Sequence, residues 1–278
     1  AQNRDRQDSA IQASGCNLMA GPDAFFVDVT GHQLECVLYP GKTPTIIVLH
    51  EGLGSVAMWR DFPEKLAQET GHAVLVYSRY GYGRSTPCTT HPVGDRYMHR
   101  EALEALPALL DSLKIDKPFL LGHSDGGSIA LIHAGGSGRP VSGVITLAAH
   151  VFNEDICVAA IEQAKIAFDS TDMKDRLGRY HDDPEGAFWM WNQAWLAPSF
   201  RDWTIEEYLP HIFCPVLAIQ GQQDEYGTDA QVHAIGNGVA GPAKVRILPN
   251  CRHSAHKDQS QEVLALVRGF VAAATATQ

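Results

Sequence analysis

Short apolar runs alternate with longer helical patterns along most of the chain, and this alternation constrains the fold more than any other feature. The runs that we interpret as strands are residues 24–30, 33–39, 45–50, 73–77, 119–122, 141–148, 215–220 and 244–248. The helical patterns between them cover residues 57–68, 96–113, 128–134, 229–237 and 261–274. The first two strands are separated only by Gly31 and His32, which predicts an antiparallel hairpin at a sheet edge. The remaining alternation is typical of βαβ units. It predicts an α/β fold with a mostly parallel eight-stranded sheet flanked by helices.

Residues 150–212 interrupt this alternation. They show no strand pattern and contain four of the five tryptophans, namely Trp189, Trp191, Trp195 and Trp203. A long insertion inside a compact domain is usually functional. We therefore predict a helical lid over residues 150–212, a core made of residues 21–149 and 213–278, and a polar N-terminal tail over residues 1–20.

Charge and composition bear on the possible partners. The 278 residues carry a net charge of −10, from 22 basic and 32 acidic side chains, and such a balance disfavours a nucleic acid. No run of 18 apolar residues occurs, so we expect no membrane span. The six cysteines form no CxxC pair, and we expect free thiols and a cytoplasmic location. The oligomeric state is left open.

The candidate nucleophile is Ser124 in the sequence GHSDGG, which begins at Gly122 and fits G-x-S-x-G. The motif requires a sharp turn between a strand and a helix, with tiny residues around a strained serine. Here an apolar strand precedes it and a helix rich in small residues follows. The amide of Asp125 would then point at the reacting oxygen. The alternative is a glycine-rich turn that packs the helix or binds phosphate, but the dinucleotide pattern G-x-G-x-x-G is absent here.

A serine hydroxyl needs a base, and the base needs a group that orients it. Both are expected after the nucleophile, at the ends of later strands, with the acid first. Asp224 follows one such strand in GQQDEYG, and His253 follows the next in NCRHSAH. The alternatives are Glu225 for the acid and His256 for the base. We predict no metal site. We expect seven further histidines to be ordinary core or surface residues, namely His32, His72, His91, His99, His181, His211 and His233.

The oxyanion hole should use backbone N–H groups, one from Asp125 and one from the loop after the third strand. That loop reads HEGLG over residues 50–54, and we predict Gly52 as the second donor, with Leu53 as the next choice. Glu51 lies directly before Gly52. Either it points away and pairs with Arg79 or Arg84, or it handles a polar substrate group.

From about residue 24 to its end, the chain resembles the α/β-hydrolases. The matching motifs are HEGLGS at 50–55, YGYGRS at 80–85, GHSDGG at 122–127, GQQD at 221–224 and CRHSAHKDQ at 251–259. The resemblance implies a serine hydrolase without a cofactor, with Ser124 as nucleophile, Asp224 as acid and His253 as base. The family also includes lactonases, thioesterases, amidases and C–C hydrolases, so the fold does not select the reaction.

The aromatic lid gives the best indication of the substrate. Large aromatic side chains with polar edges predict a pocket for an apolar or aromatic group of small to medium size. The residues that we expect to contact a small-molecule substrate are Glu51, His123, Trp189, Trp191 and Trp195. We therefore expect a hydrolase of carboxylic esters or lactones. The alternatives are a C–C bond hydrolase or cofactor-free oxygenase or lyase with the same triad, and a ligand-binding receptor that does not turn over.

Overall fold

The computed structural model describes residues 22, 24–89 and 94–276, so the predicted tail over residues 1–20 lies outside the described residues. One eight-stranded sheet forms the centre, in the order β1-β2-β4-β3-β5-β6-β7-β8. The strands are β1 (Phe25–Val29), β2 (His32–Tyr39), β3 (Lys42–Leu49), β4 (His72–Tyr77), β5 (Phe119–His123), β6 (Gly143–Leu147), β7 (Val216–Gly221) and β8 (Ala243–Leu248). Strand β2 pairs antiparallel with β1 and with β4, and the other neighbours pair parallel. The predicted α/β fold with an edge hairpin is confirmed.

The central strands are buried on both faces, which explains why they are continuous apolar runs. In β3, Ile47 and Leu49 face one hydrophobic core, whereas Ile46 and Val48 face the other. This split follows from the period of two in a strand. Helices cover both cores.

The helices lie between and beyond the strands. They are α1 (Phe62–Thr70), α2 (Tyr97–Arg100), α3 (Leu106–Ser112), α4 (Asp125–Gly136), α5 (Asp155–Ser170), α6 (Met173–Leu177), α7 (Pro184–Trp195), α8 (Ala230–Gly238), α9 (Ala255–Asp258) and α10 (Ser260–Ala276). Short 3₁₀ turns occur at Val56–Trp59, Pro198–Phe200 and Glu206–His211. In the part of the chain that the structure describes, no helix is long and apolar enough to cross a membrane.

Two predicted helices differ from the structure. The segment predicted as one helix over residues 57–68 instead forms the 3₁₀ turn Val56–Trp59 and helix α1, because Arg60 between them has a φ of 54°. A non-glycine residue at positive φ cannot continue a right-handed helix.

The predicted helix 96–113 is interrupted by a π turn at Glu101–Ala105, between α2 and α3. Pro107 supplies the reason. It has no N–H to donate, and its ring clashes with the carbonyl four residues earlier, so the preceding turn widens. Amphipathic periodicity alone does not reveal this irregularity.

The segment between β6 and β7 carries α5, α6 and α7, which we call the cap helices. Helix α7 begins at Pro184, and the Asp183 side chain caps it by accepting from the Gly186 N–H at 2.9 Å. Stacked aromatic rings fill the interior of the segment, with the Phe168 and Phe188 centroids 3.8 Å apart. The aromatic composition of this stretch therefore packs the cap helices as well as facing the sheet.

Candidate active site

Ser124 stands on a sharp turn between β5 and α4, with φ 52° and ψ −119°. This conformation is strained for a residue with a Cβ. The turn closes because its neighbours have no side chains: a Cβ on Gly122 would lie 2.1 Å from the Gly126 carbonyl oxygen, and one on Gly126 would lie 2.0 Å from that of Leu49. The geometry places the serine at the carboxyl edge of the sheet, where it is 8% exposed.

Asp224 and His253 meet at the same edge, after β7 and β8. His253 Nδ1 donates to Asp224 Oδ1 at 2.8 Å. The same carboxylate accepts from Gln220 Nε2 at 2.7 Å and from the Tyr226 N–H at 2.9 Å. Burial alone would raise the pKa of Asp224, but the His253 contact and the Tyr226 N–H outweigh it and lower the pKa. The pair can orient an imidazole and stabilise it when it becomes charged.

The two residues considered as alternatives occupy other positions. Glu225 is half-exposed; it accepts from Arg252 Nη2 at 3.1 Å and from the backbone N–H of His253 at 3.3 Å. His256 is buried, with its ring centroid 4.6 Å from that of Trp59. Thus His253 is the histidine that the structure brings to Asp224.

The loop after β3 lies beneath the cap helices. Gly52 is packed so closely against Trp191 that an added Cβ would lie 2.2 Å from Cδ1 of the indole. The Leu53 carbonyl accepts from His181 Nε2 at 3.0 Å. Asp125 is the first residue of α4, so its N–H has no partner within the helix, and it lies at the positive end of the helix dipole. An N–H at the first position of a helix is available to bind an anion.

The prediction that the Glu51 side chain pairs with Arg79 or Arg84 is wrong. Its Oε2 lies 3.4 Å from His123 Nδ1, and its Oε1 lies 3.5 Å from Lys257 Nζ. Arg79 instead donates to the backbone carbonyl of Glu51 at 2.9 Å, and the backbone N–H of Arg84 donates to a different carboxylate. Burial would raise the pKa of Glu51, but His123 and Lys257 hold it well below its usual value.

The side chain of Asp125 is fully buried and linked to the cap helices. Its oxygens accept from Tyr97 Oη at 2.6 Å and from Trp195 Nε1 at 3.2 Å, and Arg79 Nη2 lies 3.6 Å away. A buried carboxylate is tolerated when donors surround it in this way. Trp195 thereby connects α7 to the residue directly after Ser124.

The three tryptophans proposed as substrate contacts separate into two groups. Trp191 and Trp195 contact Gly52 and Asp125, as described above. Trp189 lies elsewhere, with its ring 5.1 Å from Phe188 inside the cap helices and Lys165 Nζ 5.9 Å from its centroid. The expectation for Trp189 is therefore corrected, because its contacts belong to the interior of the cap.

The sequence profile described as the alpha/beta hydrolase family matches residues 46–266. The chain belongs to the alpha/beta hydrolase family. A proline iminopeptidase from Lactobacillus helveticus is 33% identical over 92 residues, or 33% of this chain and 31% of that protein. That match therefore spans about a third of the relative's length. The human serine hydrolase BPHL is 25% identical over 276 residues, covering 91% of this chain and 90% of that protein.

The fold of this α/β-hydrolase is also shared with solved structures. The crystal structure of a proline iminopeptidase from Mycobacterium smegmatis aligns with a TM-score of 0.74 at 17% identity, covering 92% of this chain and 100% of that one. At such low identity the likeness concerns the fold alone. In the described residues, no group of three or more His, Cys, Asp or Glu side chains is arranged to hold a metal ion.

Sequence reasoning missed two histidines of this α/β-hydrolase. His181 joins the cap segment to two core loops, since its Nδ1 accepts from the Gly83 N–H at 2.9 Å and its Nε2 donates to Leu53. His150 has its ring centroid 6.0 Å from that of His253 and 5.2 Å from that of Trp195. Neither residue lies in a motif, so the sequence contains no signal that would have found them.

Proposed function

We propose that this α/β-hydrolase cleaves a carboxylic ester or lactone of a small to medium apolar or aromatic substrate through an acyl-enzyme. The observation that carries the proposal is the 2.8 Å hydrogen bond from His253 to Asp224 at the sheet edge that bears Ser124. A serine on a strained turn beside an oriented histidine is the arrangement that nucleophilic catalysis needs.

In the first half of the reaction, Ser124 Oγ attacks the carbonyl carbon and its proton passes to Nε2 of His253. Asp224 keeps the proton on Nδ1 and stabilises the imidazolium. The carbonyl oxygen becomes negative and is bound by the N–H groups of Asp125 and of Gly52, with Leu53 as the alternative donor.

In the second half, the imidazolium of His253 gives its proton to the leaving alkoxide as the C–O bond breaks. A water molecule then loses a proton to His253 and attacks the acyl carbon, and Ser124 leaves with the proton restored. An acyclic ester yields an acid and an alcohol, whereas a lactone yields a single hydroxy acid. These steps need no cofactor.

The surroundings of Ser124 favour a neutral substrate. Trp191 and Trp195 bring large apolar area to the site. The proline iminopeptidase relatives suggest aminopeptidase activity as a second candidate. An N-terminal ammonium would need a carboxylate partner, but Asp125 and Glu51 are already engaged by their own partners. We therefore rank ester and lactone substrates above prolyl peptides.

The test is intact mass after reaction with a fluorophosphonate probe, for the wild type, Ser124→Ala and Ser112→Ala. Ser112 lies on the surface, where its hydroxyl donates to a helix carbonyl, so this variant is the matched control. We expect one adduct on the wild type and on Ser112→Ala, and none on Ser124→Ala. A wild type that remains unlabelled would refute the activated serine and favour a ligand-binding receptor.

Bond type is tested next with a panel of aryl esters, lactones, prolyl amides and vinylogous 1,5-diketones. Ester or lactone turnover with loss in Ser124→Ala supports the proposal. Turnover of only the prolyl amides would favour the peptidase alternative. Cleavage of only the diketones would favour C–C bond hydrolysis.

A further inference from the structure

The carboxylate of Glu51 joins three separate parts of the site. The residue itself lies on the loop after β3, His123 ends β5, and Lys257 lies on α9, directly after the His253 loop. The two contacts are 3.4 Å to His123 Nδ1 and 3.5 Å to Lys257 Nζ. The side chain of Glu51 is 16% exposed and that of His123 is 1% exposed, so these charges lie largely out of water.

His123 also contacts the backbone of His253, the proposed general base. Its Nε2 lies 3.0 Å from the backbone carbonyl oxygen of His253, which can only accept, so Nε2 must carry a hydrogen. Its Nδ1 faces the Glu51 carboxylate, which is also an acceptor when ionised. A neutral imidazole has only one N–H and can donate to only one of these two acceptors, whereas an imidazolium can donate to both.

The Lys257 ammonium, 3.5 Å from Glu51 Oε1, offsets the charge of the carboxylate that lies beside Gly52. Burial lowers the pKa of His123 below its usual value, with His253 and Lys257 acting in the same direction and Glu51 opposing them; His256 is the other titratable group that faces it.

We propose that Glu51, His123 and Lys257 form a positioning cluster that holds the His253 loop against the oxyanion loop, without contacting the substrate. The inference rests on the proposed function, because it concerns how His253 and the oxyanion loop are positioned for that reaction. It replaces the earlier expectation that Glu51 and His123 contact the substrate.

The hydrogen bonds of the sheet do not link the oxyanion loop to the His253 loop. The oxyanion loop follows β3 and the His253 loop follows β8, and three strands, β5, β6 and β7, lie between them. No ladder hydrogen bond can therefore set the distance between the two loops directly. A charged side-chain bridge across the edge of the sheet sets it instead, and a reaction that depends on geometry within about 1 Å gains from such a bridge.

The experiment compares the wild type with Glu51→Gln, Lys257→Met and a control, Glu69→Gln. Glu69 on α1 makes an ion pair with Arg268 on α10 at 2.7 Å, and both side chains are about half exposed. The readouts are the rate constant of fluorophosphonate labelling, and kcat and KM for two unrelated esters. We expect Glu51→Gln to slow labelling and to lower kcat about 10- to 100-fold for both esters with KM unchanged. Lys257→Met should act in the same direction, and Glu69→Gln should match the wild type.

A double-mutant cycle with His123→Gln shows whether Glu51 acts through that residue. We expect Glu51→Gln/His123→Gln to label as slowly as His123→Gln alone, since residues that act as a unit are not additive. Circular dichroism and urea unfolding identify variants that fail to fold, in which case Lys257→Met, at the periphery of the cluster, provides the comparison.

Three outcomes would overturn the inference: labelling of Glu51→Gln at or above the wild-type rate, a change in KM for one ester only, or additive effects in the cycle. A wild type that reacts with neither the probe nor any ester would instead refute the proposed function. The two failures are therefore distinguishable.

Discussion

The floor of the candidate active site and its roof are held by different forces. The floor consists of Ser124, Asp224 and His253 at the carboxyl edge of the sheet, where a strained turn and hydrogen bonds of 2.7–2.9 Å fix the side chains. The roof consists of Trp191 and Trp195 of α7, which pack against other aromatic rings, with the Trp195 Nε1–H as the hydrogen-bonded exception. Directional bonds fix geometry, whereas aromatic packing mainly supplies apolar area.

From this difference we expect the floor to determine the reaction and the roof to determine the substrate. A floor made of directional bonds does not tolerate changes in its polar atoms. A roof made of apolar contacts can be altered with moderate cost, which suits a family that performs many reactions on one fold. Substitutions in the floor, in the roof and at the contacts between them should therefore differ in the size of their effects.

The largest effect is expected at the floor, from Asp224→Asn. The amide keeps the shape but cannot hold the imidazole in the required tautomer, so kcat/KM for an ester substrate should fall about 10⁴-fold. Glu225→Gln is the matched control, because this neighbouring carboxylate accepts from Arg252 and from the backbone N–H of His253. A control that loses as much activity as Asp224→Asn would show that the acid has been misassigned.

A second effect is expected where roof and floor touch. In Gly52→Ala the new methyl group would meet the Trp191 indole, and neither group can move far. We expect a loss in kcat of about 100-fold, because the oxyanion loop must shift. Gly52→Ala/Trp191→Ala should recover part of the loss, and steady-state kinetics of the three variants would measure it. No recovery would mean that the loop, and not the indole, is the source of the loss.

The connection from the roof to the floor is tested by Trp195→Phe. The substitution removes the Nε1–H, which donates to Tyr97 Oη at 2.8 Å and to the buried Asp125 carboxylate at 3.2 Å. Loss of a donor to a buried acceptor should lower the free energy of unfolding by about 2 kcal/mol in a urea titration. Trp189→Phe makes the same change in a half-buried ring inside the cap helices and should cost less. Equal losses would indicate that ring size alone matters.

The smallest effect concerns pH. Burial acts against ionised Glu51, but its contacts with His123 and Lys257 lower its pKa in the folded state. A depressed pKa contributes stability at neutral pH that is lost as pH falls through the folded pKa. The free energy of unfolding of the wild type should therefore exceed that of Glu51→Gln near pH 7, and the gap should narrow as the pH falls below the ordinary pKa of a glutamate. A gap that stays constant with pH would mean that the carboxylate is not ionised in the fold.

Much of the floor could be predicted from the sequence. The strand before Gly122 and the helix after Gly126 are local patterns, and the requirement for glycine around Ser124 is a steric rule. The positions of Asp224 and His253 followed from the ends of two later strands. Strand bounds agreed within a few residues, because buried parallel strands are continuous apolar runs.

The sequence was a poorer guide where distant side chains meet. The π turn before α3 arises from the missing N–H of one proline, which a hydrophobic pattern does not register. Trp189 and Trp191 are two residues apart on α7, yet one faces the cap interior and the other faces Gly52. Composition cannot separate them, because helix orientation decides which face meets the sheet.

The sequence by itself determined the α/β order of strands and helices, the glycine-lined turn at Ser124 and the strand ends that carry Asp224 and His253. These follow from interactions between residues close in the chain. Only the tertiary structure decided that Glu51 pairs with His123 and Lys257, and that His181 joins the cap segment to the oxyanion loop. Folding brings these partners together from distant parts of the chain, and burial makes their pairing necessary, because a charge removed from water must find a partner.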